Sequence, residues 1–153
     1  MSDWVNINID TEGIREEREL EDGVKVIVSP SPYDVPGAVK AEFDQSKGHL
    51  RILFRYIGTE PVKRQTGQSG ELFGMGRNSG RLYEIDVKID EAEIKGLTAN
   101  ELTARISQVI DHVPKVSTYG ERKENYRLAK QALKIAEIPI SSALGLVPLQ
   151  KLA

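Results

Sequence analysis

The chain contains no cysteine. That excludes a disulfide framework, a thiol nucleophile and any zinc site built on thiolates. Histidine is nearly as scarce, with His49 and His112 the only two. No His-x-x-x-His pair or neighbouring carboxylate pattern accompanies either, so no metal site is expected and both histidines read as structural. Long apolar runs are missing too. None reaches the roughly 18 residues a transmembrane helix needs. The start of the chain, Met1-Ser2-Asp3-Trp4-Val5-Asn6, has neither a basic region nor an apolar core of the signal-peptide kind; a cytoplasmic location is the expectation. No internal repeat, low-complexity tract, nucleophile elbow or dinucleotide fingerprint is visible, and the motifs call for no cofactor.

What is present is ordinary for a globular protein: 39% hydrophobic and 29% charged residues in 153. That length suits one domain burying roughly two-thirds of its unfolded surface. The charge is uneven. Residues 1–22 hold eight acidic and two basic side chains, a net of −6. Residues 47–81 hold seven basic and two acidic, a net of +5, and residues 115–134 six basic and two acidic, a net of +4. Such asymmetry steers anionic ligands, or else lets one part of the fold neutralise another.

Pattern and punctuation predict an α+β domain: an antiparallel sheet of three to five strands within residues 23–90, followed by two helices packed on one face. Around the end of the acidic segment 1–22, Ile14–Glu21 reads as a charged helix ended by Gly23, or else Arg18–Glu21 and Val24–Val28 pair as a hairpin whose two-residue turn is Asp22-Gly23. The Asp-Gly pair favours the hairpin. Three prolines make 29–37 a loop. Ala38–Phe43 alternates, Asp44–Gly48 turns, and His49–Ile57 returns as a more apolar strand. Pro61–Gly80, with five glycines, reads as a long polar loop. In Arg81–Asp90, Tyr83, Ile85, Val87 and Ile89 share one face.

The first helix opens with a capping box, Thr98 to Glu101, and runs to Pro114 with Leu102, Ile106, Val109, Ile110 and Val113 on one stripe. A second box, Thr118 to Glu121, precedes a helix that ends before Pro139. Its apolar face is Tyr126, Leu128, Ala129, Ala132, Leu133, Ile135 and Ala136. Lys123, Arg127, Lys130 and Lys134 form a basic stripe, which reads as a solvated face rather than a nucleic-acid surface, the pI being about 5.8. Residues 138–153 form an apolar tail broken by Pro139, Gly145 and Pro148. It is expected to lie extended on the surface or to serve a protein partner or self-association.

The most specific stretch is 50–64. An apolar strand delivers Arg55 to a Gly58-Thr59-Glu60-Pro61 turn, with Lys63 and Arg64 beyond. Arg55 through Arg64 resembles the phosphate-binding loop in the last domain of the phosphohexomutases, whose pattern is Arg, any residue, Ser, Gly, Thr, Glu, Pro, two of any kind, then Arg. Ile57 replaces the serine. The resemblance implies that Arg55, Gly58 and Thr59 face the phosphate of a phosphosugar, with Arg64 nearby. The chemistry agrees, since a strand-anchored arginine grips phosphate bidentately and a Gly-Thr turn offers N–H and hydroxyl donors. Arg77 and Ser79 in Gly74-Met75-Gly76-Arg77-Asn78-Ser79-Gly80 are further candidates for such a site. The family's phosphoserine loop and aspartate-rich magnesium loop are absent. With no complete catalytic set, the chain reads as a non-enzymatic binding or interaction module, with phosphoryl-ligand binding as the alternative and nucleic-acid binding through the basic helix face as a weaker one. Asp86, Asp90, Glu91 and Glu93 cluster as well, but without the glycine-bearing loop of a calcium site they read as a solvated strand end.

Overall fold

The computed structural model describes residues 4–9, 16–28, 32–67, 69–113 and 123–145. It has eight strands: β1 (Val5–Asn6), β2 (Glu16–Glu19), β3 (Lys25–Val28), β4 (Ala38–Asp44), β5 (His49–Arg55), β6 (Val62–Thr66), β7 (Leu72–Gly76) and β8 (Leu82–Lys88). Four helices follow: α1 (Glu91–Lys95), α2 (Ala99–Ile110), α3 (Lys123–Ile135) and α4 (Glu137–Ala143). Six strands form one antiparallel sheet in the order β1-β4-β5-β8-β7-β6, and β2 and β3 form a separate two-stranded one. The α+β class and antiparallel sheet match expectation. The main sheet has six strands rather than three to five, and three helices rather than two reach seven residues.

Register explains which face is buried. Val39 and Ala41 of β4 pair with Phe54 and Ile52 of β5, which continue to Ile85 of β8 and Phe73 of β7. All six lie almost wholly out of solvent, on the face covered by the helices. Leu102, Ile106 and Ile110 of α2, Leu128, Ala132 and Leu133 of α3 and Ile140 of α4 belong to the same core. Each large side chain buried there contributes on the order of 2 kcal/mol. The other face carries an ion row. Arg51 Nη2 lies 2.8 Å from Glu84, Arg64 3.4 Å from Glu84, and Lys40 3.1 Å from Glu42.

Several elements correct the sequence reading. Pro61–Gly80 is not a long loop: it contains β6 and β7, paired from Val62↔Gly76 to Thr66↔Leu72. The acidic hairpin exists, but its loop is the three residues Glu21-Asp22-Gly23. The Leu20 N–H donates to the Val24 carbonyl, and Gly23 takes φ +83°, which completes a turn-plus-bulge connection. The stretch from 137 is not extended, because α4 resumes one residue after α3 ends. Pro139 falls in its first turn, where a missing N–H costs nothing. Residues 146–153 of the expected tail, the second capping box and Lys115 lie outside the described residues. The first box is present: Glu101 accepts from the Thr98 N–H at 2.9 Å, and the Thr98 hydroxyl oxygen accepts from the Glu101 N–H at 3.4 Å. Ile135, expected on the apolar face of its helix, is exposed.

Candidate functional site

The turn that resembles a phosphate loop is built around a carboxylate. Glu60 leaves the Gly-Thr turn and points into the connection between β7 and β8. There its oxygens accept from the N–H groups of Asn78 (2.8 Å) and Ser79 (2.9 Å), the Ser79 hydroxyl (2.5 Å), Arg81 Nη1 (2.9 Å) and the Tyr83 hydroxyl (3.2 Å). Successive backbone N–H groups plus an arginine make an anion nest. Gly76 lies under it, and a Cβ there would collide with the Glu60 carboxylate. Gly80, at φ +75°, closes the connection through its N–H to the Gly76 carbonyl. Burial pushes Glu60 toward its neutral form, but the hydrogen bonds from Ser79, Asn78 and Tyr83 outweigh it and hold the carboxyl below its usual range. Arg81 also donates to Asp34 at 3.0 Å, which ties the Pro32–Asp34 turn to the nest.

The expected anion ligands are distributed differently. Ser79 is buried against Glu60. Arg55, at the end of β5, donates to Asn6 at 3.2 Å and lies 4.9 Å from the Trp4 ring centre, on the outer face of the sheet. Arg64, on β6, reaches Glu84. Gly58 and Thr59 form the turn itself, Thr59 exposed, and Arg77 is exposed at the tip of the β7–β8 connection, its N–H bonded to the Pro61 carbonyl. The structure thus brings Ser79 to the turn's own glutamate, while Arg55 and Arg64 take partners elsewhere. For Arg51, Arg64 and Arg81, those partners are Asp34, Glu42, Glu60 and Glu84 rather than the acidic segment 1–22.

A second arrangement is concave. A cleft of about 220 Å³ opens between β8, α1, α2 and the turn joining β6 to β7. Leu50, Val87, Ile89, Leu102, Ile106 and Val109 form its apolar floor, and Ser69, Gly70, Glu71, Lys88, Glu93 and Arg105 its rim. Amphipathic packing explains it: α2 turns its apolar stripe to the sheet, and Val109 near its C-terminal end is left half-covered. On the rim, Glu71 accepts from the Ser69 N–H at 2.9 Å and lies 2.6 Å from His112 Nδ1, while Arg105 pairs with Glu93 at 2.5 Å. Burial raises the Glu71 carboxyl, but His112 and the backbone donors more than reverse this, leaving it below its usual range. The expected acidic cluster is dispersed: Asp86 faces His49 at 2.8 Å, Glu91 pairs with Lys95 at 2.6 Å, and Glu93 is the rim residue. The basic stripe is partly neutralised as well, with Lys130 on Asp111 at 2.5 Å and Lys134 on Glu137 at 2.9 Å.

Sequence reasoning missed Glu60 as an acceptor and Glu71, Glu93 and Arg105 as a rim. The Glu-Pro after Gly-Thr was the available signal for the first; nothing local signals the rest, whose partners lie on other elements. No protein family, curated protein or solved structure matches the chain. Among the described residues, no helix is long and apolar enough to cross a membrane.

Proposed function

We propose that this protein is a non-enzymatic binding module of the cytoplasm whose ligand site is the cleft beside α2. The observation that carries the reading is the cleft itself: an apolar floor ringed by charged groups, in the pattern typical of small-molecule sites. At about 220 Å³ the cleft is smaller than the roughly 300–1,000 Å³ of sites for drug-sized ligands, so its occupant is a small one. The ligand class is therefore a small molecule with an apolar body and a polar end that meets Arg105 and Glu71. Ligand binding raises unfolding free energy by about 2.7 kcal/mol at a hundredfold excess over Kd. A thermal-shift screen of small aromatic and branched-chain acids, amines and amides tests it. A rise in Tm that Val109→Trp removes, by filling the cleft, supports the reading. Equal behaviour of wild type and variant against every compound contradicts it.

A second reading keeps phosphate or phosphosugar binding at the turn, drawing on Gly58, Thr59, Arg77 and Ser79; Arg55 and Arg64 would join only by leaving Asn6 and Glu84. The five donors converging on Glu60 favour it, with a phosphate taking the place of the carboxylate. Inorganic phosphate would then stabilise Glu60→Ala more than wild type; no rise in either protein contradicts this reading.

A further inference from the structure

We propose that two copies of this chain associate by strand addition, β2 of each copy pairing with the open edge of β6 in the other. The inference rests on the unpaired edges of β2 and β6 and is independent of the cleft. At one end of the six-stranded sheet, β6 pairs with β7 on one side only. Its five residues, Val62-Lys63-Arg64-Gln65-Thr66, include two cations and no anion. The hairpin β2–β3 is a sheet of two strands, and neither strand has a further partner among the described residues. Two-stranded ribbons are marginal in water on their own. This one also holds Leu20, Val24 and Ile27 exposed, Ile27 at 70%.

Charge decides which edges meet. Two copies of β6 would set lysine and arginine against each other, and two copies of β2, Glu16-Glu17-Arg18-Glu19, would set glutamates together. Both pairings are disfavoured, because like charges on facing strands repel. Joining β2 to β6 brings a strand of three glutamates and one arginine to a strand of two cations. In the antiparallel register that places Glu17 opposite Lys63, position 16 falls opposite position 64. Lys63 is exposed, and Arg64 holds Glu84 only at 3.4 Å, with 62% of its side chain open to solvent. Apolar surface is open on both partners too: Val62 in β6 and Ile57 ahead of it are exposed, as are Leu20, Val24 and Ile27 of the hairpin. The β2 edge and the β6 edge of each copy close reciprocally into a two-fold dimer, leaving β1 and the outer edge of β3 uninvolved.

Sedimentation equilibrium of the full chain, in low salt and in about 1 M salt where charges are screened beyond roughly 3 Å, tests this. The expected result is a dimer that dissociates in high salt. Glu17→Lys and Lys63→Glu should each weaken association about tenfold, because each sets like charges in both copies of the contact. An equimolar mixture of the two variants should recover wild-type affinity, since each mixed contact again joins opposite charges. Both substituted side chains are exposed, and circular dichroism checks that each variant stays folded. A monomer at every concentration, association that neither variant weakens, or a mixture that regains no affinity would overturn the proposal.

Discussion

Glu60 accepts five hydrogen bonds from groups that lie 18 to 23 residues further along the chain. Its side chain is 6% exposed, so little water reaches those donors to stand in for the carboxylate if it is removed. Glu60→Ala should therefore cost about 3 kcal/mol, the range for breaking a buried charged network, and a urea unfolding curve reads it directly. Acid should act through the same group. A carboxyl held below its ordinary value of 4.5 adds stability above that pH and loses it as pH falls through the depressed value. Glu60→Gln should accordingly be less stable than wild type at neutral pH and flatten the loss of stability below about pH 4.5; parallel pH profiles for the two proteins would contradict the assignment. Arg55 through Arg64 was legible as a strand running into a sharp turn, and its reading as an anion site stays a proposal. That Glu60 enters a nest of donors was not legible, because a local motif does not reveal which distant N–H groups the β7–β8 connection presents.

Among the elements, those whose signals are local were the legible ones. The capping box at Thr98 names the start of α2, and Thr98→Ala should cost about 1 kcal/mol, read as a lowered midpoint in thermal unfolding. Strands β4 and β5 follow from alternation around a turn in which Asp44 accepts from the N–H groups of Ser46 at 3.0 Å and Lys47 at 3.3 Å. The pair β6–β7 was hidden for physical reasons. Val62–Thr66 is an edge strand exposed along most of its length, so it shows no apolar alternation. Gly74 and Gly76 read as loop residues, yet they are glycine because Glu84 and Val62 crowd one and Glu60 covers the other. Gly76→Ala should destabilise the fold by about 1–3 kcal/mol through that overlap, whereas alanine at a strand position with free space would stabilise it. Differential scanning calorimetry gives the sign. Pro139 misled in the opposite sense: it reads as a terminator, but in the first turn of α4 it is compatible with helix.

At the scale of the whole molecule, the sequence's charge asymmetry resolves into three arrangements. Arg51, Arg64 and Arg81 of the 47–81 segment are matched by Asp34, Glu42, Glu60 and Glu84 across the sheet and its turns. The acidic hairpin and basic β6 edge remain as complementary borders. The third arrangement, the cleft rim, joins residues from β8, α1, α2 and the β6–β7 turn, and so was not readable from any one segment. Binding there should be seen most directly by following backbone amide signals of ¹⁵N-labelled protein as a library of small apolar-bodied acids, amines and amides is added. Shifts that saturate at Val87, Ile89, Arg105, Ile106 and Val109, and vanish in Val109→Trp, are the predicted result. Saturating shifts confined to Gly58–Ser79, or none from any compound, would contradict the cleft as the ligand site.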